Sequence, residues 1–302
     1  MQFSRSNLAD LIYFLAIARH RSFRRAGLEV GVTASALSHA LKGLEARLGV
    51  RLLNRTSRSV TLTAAGEELR AAIGGAVEAI GDAVENLNRF RDAPAGRIRI
   101  NAPEHAASLL LAPVLPSFLD LYPDIEIDLA VENRMVDIIG EGFDAGIRYG
   151  GTVPEDMVAQ RLSADIRWAV VGSPAYFAKL GEPKHPSDLQ RHRCLNFRLG
   201  DDRLYAWEFE QGEETVAVDV RGAVTLSSTQ VTIELALGGA GLAYLPEPTA
   251  APSVASGSLR RVLDDWAPVG PGFHVYYSSR RQVPTALRLL IEHIRERRPL
   301  GL

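Results

Sequence analysis

The sequence predicts a multi-domain protein with an all-α, winged helix-turn-helix domain at the N-terminus, a long linker helix and an α/β domain at the C-terminus. Three observations predict this order. Capped helices joined by a glycine turn lie within residues 1–63, a heptad pattern of apolar residues follows, and strands then alternate with helices. A chain of 302 residues is long enough for two or three such domains.

The charge is distributed unequally along the chain. Residues 1–63 contain ten Lys or Arg and three Asp or Glu, a net charge of +7, and because the whole chain has −2, residues 64–302 carry −9. A basic first domain favours contact with a polyanion such as DNA, although many solvated protein faces are also basic.

Composition and motifs disfavour several other classes of protein. No apolar run is long enough to cross a bilayer, and the start, MQFSRSNLADLIYF, lacks the features of a secretion signal, so we expect a cytoplasmic protein without a membrane partner. Cys194 is the only cysteine, which excludes a disulfide or a multi-thiolate metal site within one chain. GGAG at 238–241 is only a fragment of a dinucleotide fingerprint, and no catalytic motif is found. We therefore predict neither an enzyme nor a bound cofactor or metal.

The first two helices are predicted from apolar spacing and caps. A helix over residues 8–20 follows from apolar residues at helical intervals, which are Leu8, Leu11, Ile12, Leu15 and Ala18. Ser22 is the expected N-cap of a short second helix, about Phe23 to Glu29, that ends near Gly31. The second helix and the helix that follows it, joined by a tight turn with glycine, form a helix-turn-helix, whose second helix enters the major groove of DNA.

The third helix has one apolar and one short polar face. Thr33 caps it, Gly49 ends it, and its stripe is made of Leu37, Leu41, Leu44 and Leu48. At about 100° per residue, Ser35, His39 and Lys42 point away from this stripe, with Ser38 on its flank. Short side chains let a helix lie close to base edges, which Ser, His and Lys can bond. The alternative is an ordinary solvated face.

A basic hairpin follows the third helix. Val60 and Leu62 alternate with polar residues after the turn-forming NRTSRS, which predicts a β-hairpin, or wing, with Arg55 and Arg58 near its tip. Arginines on such a ribbon suit phosphates or a narrow minor groove. Helices, wing and charge together predict a DNA-binding domain.

Residues 64–92 are predicted to form a linker helix that dimerises. Its apolar seam recurs at alternating intervals of four and three residues, at Leu69, Ile73, Ala76, Ile80, Ala83, Leu87 and Phe90. A single helix lying on its own domain would show the same pattern. Gly74, Gly75 and Gly81 each cost about 1 kcal/mol relative to Ala, so the helix needs a partner or docked domains. DAPAG at 92–96 marks its end.

The C-terminal part predicts α/β structure with largely parallel sheet. Predicted strands are RIRIN (97–101), IEIDLAV, DAGIR (144–148), WAVVG, VRGAVTLS, GLAYLP and HVYYS. Predicted helices are HAASLLLAPVLPSFLDLY, STQVTIELALGG and a final one from about Pro284 to Arg297.

In such sheets ligands bind beyond the carboxyl ends of the strands, near helix N-termini. The ligand-binding residues predicted from this rule are Asn101, Ala102, Pro103, Glu104, His105, Arg148, Ser227, Ser228 and Thr229. Hydroxyls, helix N-termini and one arginine favour a small anion such as a carboxylate. Arg148 could instead form an ion pair between elements, Ser228 could be only an N-cap, and Glu104 with His105 could select a ligand that carries a donor.

Several N-terminal motifs occur in register over more than fifty residues. They are SF-x-x-A, S-A-L-S, LE-x-x-LG-V-x-L, N-R-T and L-T-x-A-G-E within FLAIARHRSF…LTAAGE. This pattern strongly resembles the N-terminal signature of LysR-type transcriptional regulators. One departure is Ala34, where many members have Gln or Pro, since Ala cannot make a bidentate contact with adenine. The resemblance implies DNA contact by Ser35, Ala36, Ser38, His39, Lys42, Arg55 and Arg58, and the predicted DNA-binding residues also include Ser22, Arg24 and Thr33.

The resemblance also implies an architecture and a mechanism. It implies two α/β lobes of the periplasmic-binding-protein type, with lobe 1 about 93–166 and 270–302, lobe 2 about 167–269, and crossings near 162–168 and 267–272. It implies a homodimer or homotetramer that binds double-stranded DNA, responds to a small-molecule effector between the lobes, and contacts RNA polymerase if it is an activator. An effector-independent repressor, whose C-terminal domain serves only oligomerisation, is the alternative. A solute-binding protein and an enzyme are the less favoured ones.

Overall fold

The computed structural model describes residues 5–55, 59–85, 93–200, 203–222, 224–278 and 283–302. The chain forms two compact units, Met1–Asp92 with Ile139–Gly142 and Ala93–Ile138 with Phe143–Leu302. None of the described helices combines the length and apolarity needed to span a bilayer.

Three helices begin the first unit. They are α1 (Arg5–His20), α2 (Phe23–Val30) and α3 (Ala34–Leu48). The hydroxyls of Ser22 and Thr33 accept hydrogen bonds from backbone N–H groups in the first turns of α2 and α3. Gly31 and Gly49 end these helices with φ of 70° and 72°, which a residue with a Cβ rarely adopts. All four predicted caps are confirmed.

The core of this unit packs α3 against α1. Leu37, Leu41 and Leu44 are buried, as their spacing predicts. The predicted apolar face of α1 is partly wrong, because Leu8 and Ile12 are exposed. The α1 residues that are buried are Leu11, Phe14, Ala16, Ile17 and Ala18. Since LIYFLAIA is apolar on every side, periodicity alone could not orient this helix.

The wing and the long helix complete the first unit. Strands β1 (Leu53–Arg55) and β2 (Val60–Leu62) pair antiparallel, which confirms the hairpin, and Arg58 lies outside the described residues. Helix α4 (Ala64–Glu85) follows, and the predicted seam positions Leu87 and Phe90 also lie outside the described residues.

The second unit contains two lobes. The first lobe has a five-stranded sheet in the order β4-β3-β5-β15-β6. Its strands are β3 (Gly96–Ala102), β4 (Ile125–Val131), β5 (Ala145–Tyr149), β6 (Met157–Arg161) and β15 (Phe273–Ser278). Its helices are α5 (Glu104–Ala106), α6 (Leu115–Leu121) and α10 (Thr285–Arg297), and one buried face of the sheet forms a core with α6 and α10.

The second lobe is built around strand β7. Its sheet has the order β12-β7-β13, with β14 also paired to β7 and a parallel pair β8–β11 joined to β12 by a bridge between Cys194 and Leu242. Its strands are β7 (Ile166–Gly172), β8 (Leu195–Phe197), β9 (Trp207–Gln211), β10 (Glu214–Val218), β11 (Val224–Leu226), β12 (Ala243–Pro246), β13 (Arg260–Val262) and β14 (Val269–Gly270). Its helices are α7 (Pro174–Leu180), α8 (Thr229–Leu237) and α9 (Glu247–Ala255).

Two adjacent segments connect the lobes. The N–H of Leu162 donates to the carbonyl of Phe273 at 2.8 Å, and the N–H of Trp168 donates to the carbonyl of Pro268 at 3.0 Å. Between these bonds β14 pairs antiparallel with the start of β7. The chain therefore leaves and re-enters the first lobe along one two-stranded connection.

Two predictions for the second unit are wrong in part. The helix predicted over HAASLLLAPVLPSFLDLY is divided into α5, a π-helical segment (Ala107–Leu111) and α6. Pro113 lacks an N–H for a continuous helix and Pro116 suits the first turn of a new one. The sheets are also mixed, because β15 runs antiparallel to β5 and β6, and β7 is antiparallel to β12, β13 and β14.

Substitution of Leu41 tests the core of the first unit. Leu41→Ala leaves a cavity at a fully buried position and should lower the free energy of unfolding by about 2–5 kcal/mol. Leu28→Ala is the control, because Leu28 is 78% exposed and its truncation should change stability by less than about 0.5 kcal/mol.

The two units can be followed separately in this experiment. All three tryptophans, Trp168, Trp207 and Trp266, belong to the second unit. Urea unfolding of Leu41→Ala should therefore shift the transition in helical circular dichroism but leave the tryptophan fluorescence transition in place. A Leu41→Ala protein that unfolds like Leu28→Ala would contradict the assigned core.

Candidate functional site

Helix α3 presents a row of short polar side chains opposite its buried leucines. Ser35, Ala36, His39 and Lys42 are exposed, whereas Ser38 on the flank is half-buried. The Thr33 hydroxyl, which caps the helix, also lies 3.0 Å from the Ser35 hydroxyl. The buried leucine stripe fixes the rotation of the helix, so this row faces solvent along its whole length.

A glutamate inside the basic unit anchors the wing to α3. One Glu45 carboxylate oxygen accepts from the N–H groups of Leu52 (2.8 Å) and Leu53 (3.2 Å), and the other lies 3.4 Å from the Arg55 guanidinium. Arg55 also donates to the Ser38 hydroxyl at 3.2 Å, and its guanidinium stands 5.0 Å from the centre of the Phe23 ring. Arg55 and Ser38 therefore connect wing and helix, a role that spacing alone did not indicate.

Two further predicted contact residues lie at the start of α2. Arg24 is exposed on α2, and Ser22, its N-cap, is half-buried. The structure thus brings nine of the ten predicted residues to α2, α3 and the wing, with Arg58 outside the described ranges.

The predicted seam of α4 has two parts. Leu69 and Ile73 pack partly buried on the core of the first unit, as the single-helix alternative expected. Ala76, Ile80 and Ala83 are exposed, Ile80 to 53%. Only this second part of the described seam offers apolar surface along the helix.

A cavity of about 1030 Å³ lies between the two lobes of the second unit. The aromatic side chains in its lining are Tyr149, Trp168, Phe197, Tyr205, Trp207, Phe209 and Tyr244. Of the nine predicted ligand-binding residues, Pro103, His105 and Arg148 line it.

The N-terminus of α8 is already bonded to the first lobe. The N–H of Thr229 donates to the Glu104 carboxylate, and the Thr229 hydroxyl lies 3.2 Å from His105 Nε2. Asn133, whose side-chain oxygen accepts from the Glu104 N–H, donates from Nδ2 to the carbonyl of Ser227 at 2.9 Å. We call these five residues the interlobe hydrogen-bond cluster. The N–H that was predicted to meet a ligand anion is thus bonded to the chain's own carboxylate.

Arg148 is buried and bonded to neutral acceptors. It is 4% exposed and donates to the Asn101 side-chain oxygen and, at 2.6 Å each, to the carbonyls of Ile147 and Arg134. Burial lowers the pKa of its guanidinium. No carboxylate of the described chain lies within ion-pair distance of Arg148, so the ion pair considered as an alternative is not found.

The remaining predicted ligand residues lie outside the cavity wall. Asn101 and Ala102 are fully buried in β3, and Ser227 is exposed. Ser228 is the N-cap of α8, and its side chain makes no capping bond. Within the described ranges, no group of His, Cys, Asp and Glu side chains is arranged to hold a metal ion.

Comparison with protein families explains both units. A family described as "Bacterial regulatory helix-turn-helix protein, lysR family" matches residues 8–67, and "LysR substrate binding domain" matches residues 91–299. The chain belongs to the LysR family.

Curated relatives and solved structures agree with this membership. A transcriptional regulator of Pseudomonas aeruginosa is 43% identical over 98% of this chain and 97% of its own length, and PgrR of Escherichia coli is 38% identical over 96% and 98%. Among solved structures, full-length AphB of Vibrio cholerae is 26% identical with a TM-score of 0.66 and covers 95% of this chain and 98% of its own. CrgA of Neisseria meningitidis is 27% identical with a TM-score of 0.60, covering 97% and 99%. The chain is accordingly a DNA-binding transcriptional regulator with an effector-binding domain.

The aromatic cavity of this LysR regulator was missed from its sequence. Trp168 and Tyr244 stack with ring centroids 5.1 Å apart, although 76 positions separate them along the chain. In β9 the buried Trp207 and Phe209 alternate with exposed residues. This period of two in YAWEFEQ predicts a strand, but it does not predict which residues the two rings contact.

The pH dependence of stability tests the environment of His105. Burial, opposed in part by the Glu104 carboxylate, lowers the pKa of His105 from 6.5 to about 4. As pH falls below 6.5 the unfolded chain takes up a proton before the folded one, so stability present above pH 6.5 is lost between pH 6.5 and 4. The loss should reach about 2 kcal/mol at pH 5.

Urea unfolding followed by tryptophan fluorescence at pH 7.5 and pH 5 measures this loss. His105→Gln should reduce the difference between the two pH values by that amount. Equal pH dependence in the wild type and His105→Gln would contradict the assignment.

Proposed function

We propose that this LysR regulator reads DNA with the exposed row of α3 in the major groove. The observation that carries the proposal is the row itself, in which Ser35, Ala36 and His39 stand opposite a buried leucine stripe. Short side chains allow close approach to base edges, where Ser and His can bond donors or acceptors.

We propose that basic and hydroxyl side chains of this unit contact phosphates. We assign Lys42 and Arg24 to the DNA backbone, together with Arg58 on the basis of the sequence alone, and Ser22 and Thr33 to the phosphates beside the helix N-termini that they cap. Arg55, bonded to Ser38 and Glu45, positions the wing against α3.

Two substitutions on α3 separate phosphate contact from base contact. Lys42→Ala should weaken binding to all sequences alike and reduce the slope of log affinity against log salt by about one. His39→Ala should change the ranking among sequences, with a loss of about 1–3 kcal/mol on the preferred site.

The measurement is a salt series of binding to genomic fragments that the purified protein selects, with fragments of unselected sequence for comparison. Lys179→Ala, in α7 of the second unit, is the control and should bind as the wild type does. A uniform loss on all fragments for His39→Ala would remove His39 from base recognition. A wild-type affinity that is insensitive to salt would contradict phosphate binding by the whole unit.

We also propose that the exposed half of the α4 seam forms a dimer interface. Ala76, Ile80 and Ala83 lie on one side of a helix, and paired recognition helices would then read two half-sites about one DNA turn apart. The domain limits that go with this proposal are 1–63, 64–92 and 93–302. Sedimentation at micromolar concentration distinguishes a dimer from a tetramer.

A charge placed on the seam tests this interface. Ala76→Asp buries a carboxylate between two helices and should shift the protein towards monomers in sedimentation at micromolar concentration, with at least tenfold weaker DNA binding. Ala71→Asp, on the opposite and exposed side of α4, should leave both unchanged. Dimers of normal stability in Ala76→Asp would place the interface elsewhere.

We place the effector in the cavity between the lobes, in contact with His105 and Arg148. A cavity of about 1030 Å³ is of the size that small ligands occupy, which favours an effector-dependent regulator over one whose C-terminal domain only oligomerises. On this proposal the protein acts in the cytoplasm, binds and releases an effector without converting it, and contacts RNA polymerase where it activates.

A further inference from the structure

We infer that the interlobe cavity binds a planar aromatic ligand without net charge, and that no ligand carboxylate occupies the N-terminus of α8. The inference rests on the proposal that this cavity is the effector site, and it replaces the small carboxylate that the sequence favoured.

The first support is a stack of aromatic rings in the cavity wall. The rings of Trp168 and Tyr244 have centroids 5.1 Å apart and an interplanar angle of 18°, and Trp207 lies 5.3 Å from Tyr244 at 19°. Tyr205 continues the group, 5.9 Å from Trp168 and 6.0 Å from Tyr244. Trp207 and Tyr244 are buried in this stack, and the partly exposed rings of Trp168 and Tyr205 supply the aromatic surface that a ligand can reach. Flat aromatic ligands match such a surface best.

The second support is that the expected anion site is occupied from within. The Glu104 carboxylate accepts the N–H of Thr229 at the start of α8, where the helix dipole favours a negative charge. A ligand carboxylate there would meet Glu104 at close range, and like charges at that distance repel.

The third support is the balance of charge on the wall. Among the described residues that line the cavity, the charged ones are Arg148, Arg203, Glu208 and Glu210, whose formal charges cancel. Arg148 already donates from Nη1 and Nη2 to three acceptors of the chain, whereas its buried Nε has no hydrogen-bond partner among the described residues. The ring of His105 is bonded at both nitrogens, to the Tyr149 hydroxyl and the Thr229 hydroxyl, and supplies no positive charge at neutral pH. An uncharged ligand adds no unbalanced charge to this wall, and an oxygen acceptor on such a ligand satisfies the free Arg148 Nε.

A displacement experiment separates shape from charge. The probe is N-phenyl-1-naphthylamine, an uncharged aromatic dye that accepts energy from tryptophan, bound to the full-length protein at pH 7.5. Three matched compounds are tested as competitors: 2-naphthol, which is planar and uncharged, decahydro-2-naphthol, which is neither planar nor aromatic, and 2-naphthoate, which is planar and anionic. We expect 2-naphthol to displace the dye at a concentration at least tenfold lower than either of the others.

Each alternative outcome overturns a part of the inference. If decahydro-2-naphthol displaces the dye at the same concentration as 2-naphthol, the cavity does not recognise aromatic rings. If 2-naphthoate displaces it at the same or a lower concentration than 2-naphthol, the cavity is an anion site. Failure of the dye to bind overturns the aromatic cavity outright. Trp266, which does not line the cavity, is replaced in Trp266→Phe so that energy transfer reports only Trp168 and Trp207.

Two pairs of variants assign the binding to this cavity. Tyr205→Ala should weaken dye binding at least fivefold, whereas Tyr205→Phe, which keeps the ring, should retain it. Glu104→Ala frees the Thr229 N–H and should therefore improve 2-naphthoate binding at least fivefold relative to 2-naphthol binding. The control is Glu126→Ala, at an exposed carboxylate of β4, which should leave this ratio unchanged. Unchanged dye binding in Tyr205→Ala or an unchanged naphthoate preference in Glu104→Ala contradicts the inference.

Binding to selected DNA fragments is measured on the same protein samples. If DNA binding is normal but 2-naphthol is not the preferred competitor, the inference about the ligand fails and the proposed function stands. If the dye binds as expected but neither it nor 2-naphthol changes DNA affinity or oligomeric state, the cavity is not the effector site, and the proposed function fails in that part while the ligand class stands.

Discussion

A charged side chain that leaves water must find hydrogen-bond partners inside the protein, and in this regulator backbone groups supply most of the partners of Glu45, Glu104 and Arg148. Glu45 accepts from two N–H groups that begin the wing, and Glu104 accepts from the first N–H of α8. Arg148 donates to two carbonyls and one side-chain amide. Because charge-assisted bonds contribute about 1.5–3 kcal/mol each, these residues hold in place the elements that carry both functional surfaces.

The first unit could be predicted almost completely because its signals are local. Caps at Ser22 and Thr33, and glycines at positive φ, determine where helices begin and end without reference to distant residues. The stripe of α3 has only one apolar side, so its exposed row was predictable as well. The orientation of α1 was not, because Phe14 and Leu15 offer two competing apolar faces.

The second unit was predictable in its α/β character but not in its cavity. Strand order and direction depend on long-range pairing, which is why the antiparallel course of β15 and the β9–β10 hairpin were missed. The aromatic wall joins Trp168, Tyr205 and Tyr244 from distant segments, and no period in the sequence connects them. Glu104 was recognised as an unsuitable neighbour for an anion, yet only the structure brings its carboxylate to α8.

The interlobe hydrogen-bond cluster sets a condition on how an effector can act. A ligand shifts a conformational equilibrium only by the difference in its affinity for the two states. In this protein the cluster already joins the lobes at the start of α8, so a ligand that merely bridged them would add little to an arrangement the chain stabilises by itself. An aromatic ligand that inserts between Tyr149 of the first lobe and Trp168 of the second, whose ring centroids are 5.8 Å apart, requires the rings to separate. Ligand binding and the cluster would then favour different distances between the lobes. The ligand would therefore bind the two arrangements of the lobes with different affinities, as a ligand that shifts a conformational equilibrium must.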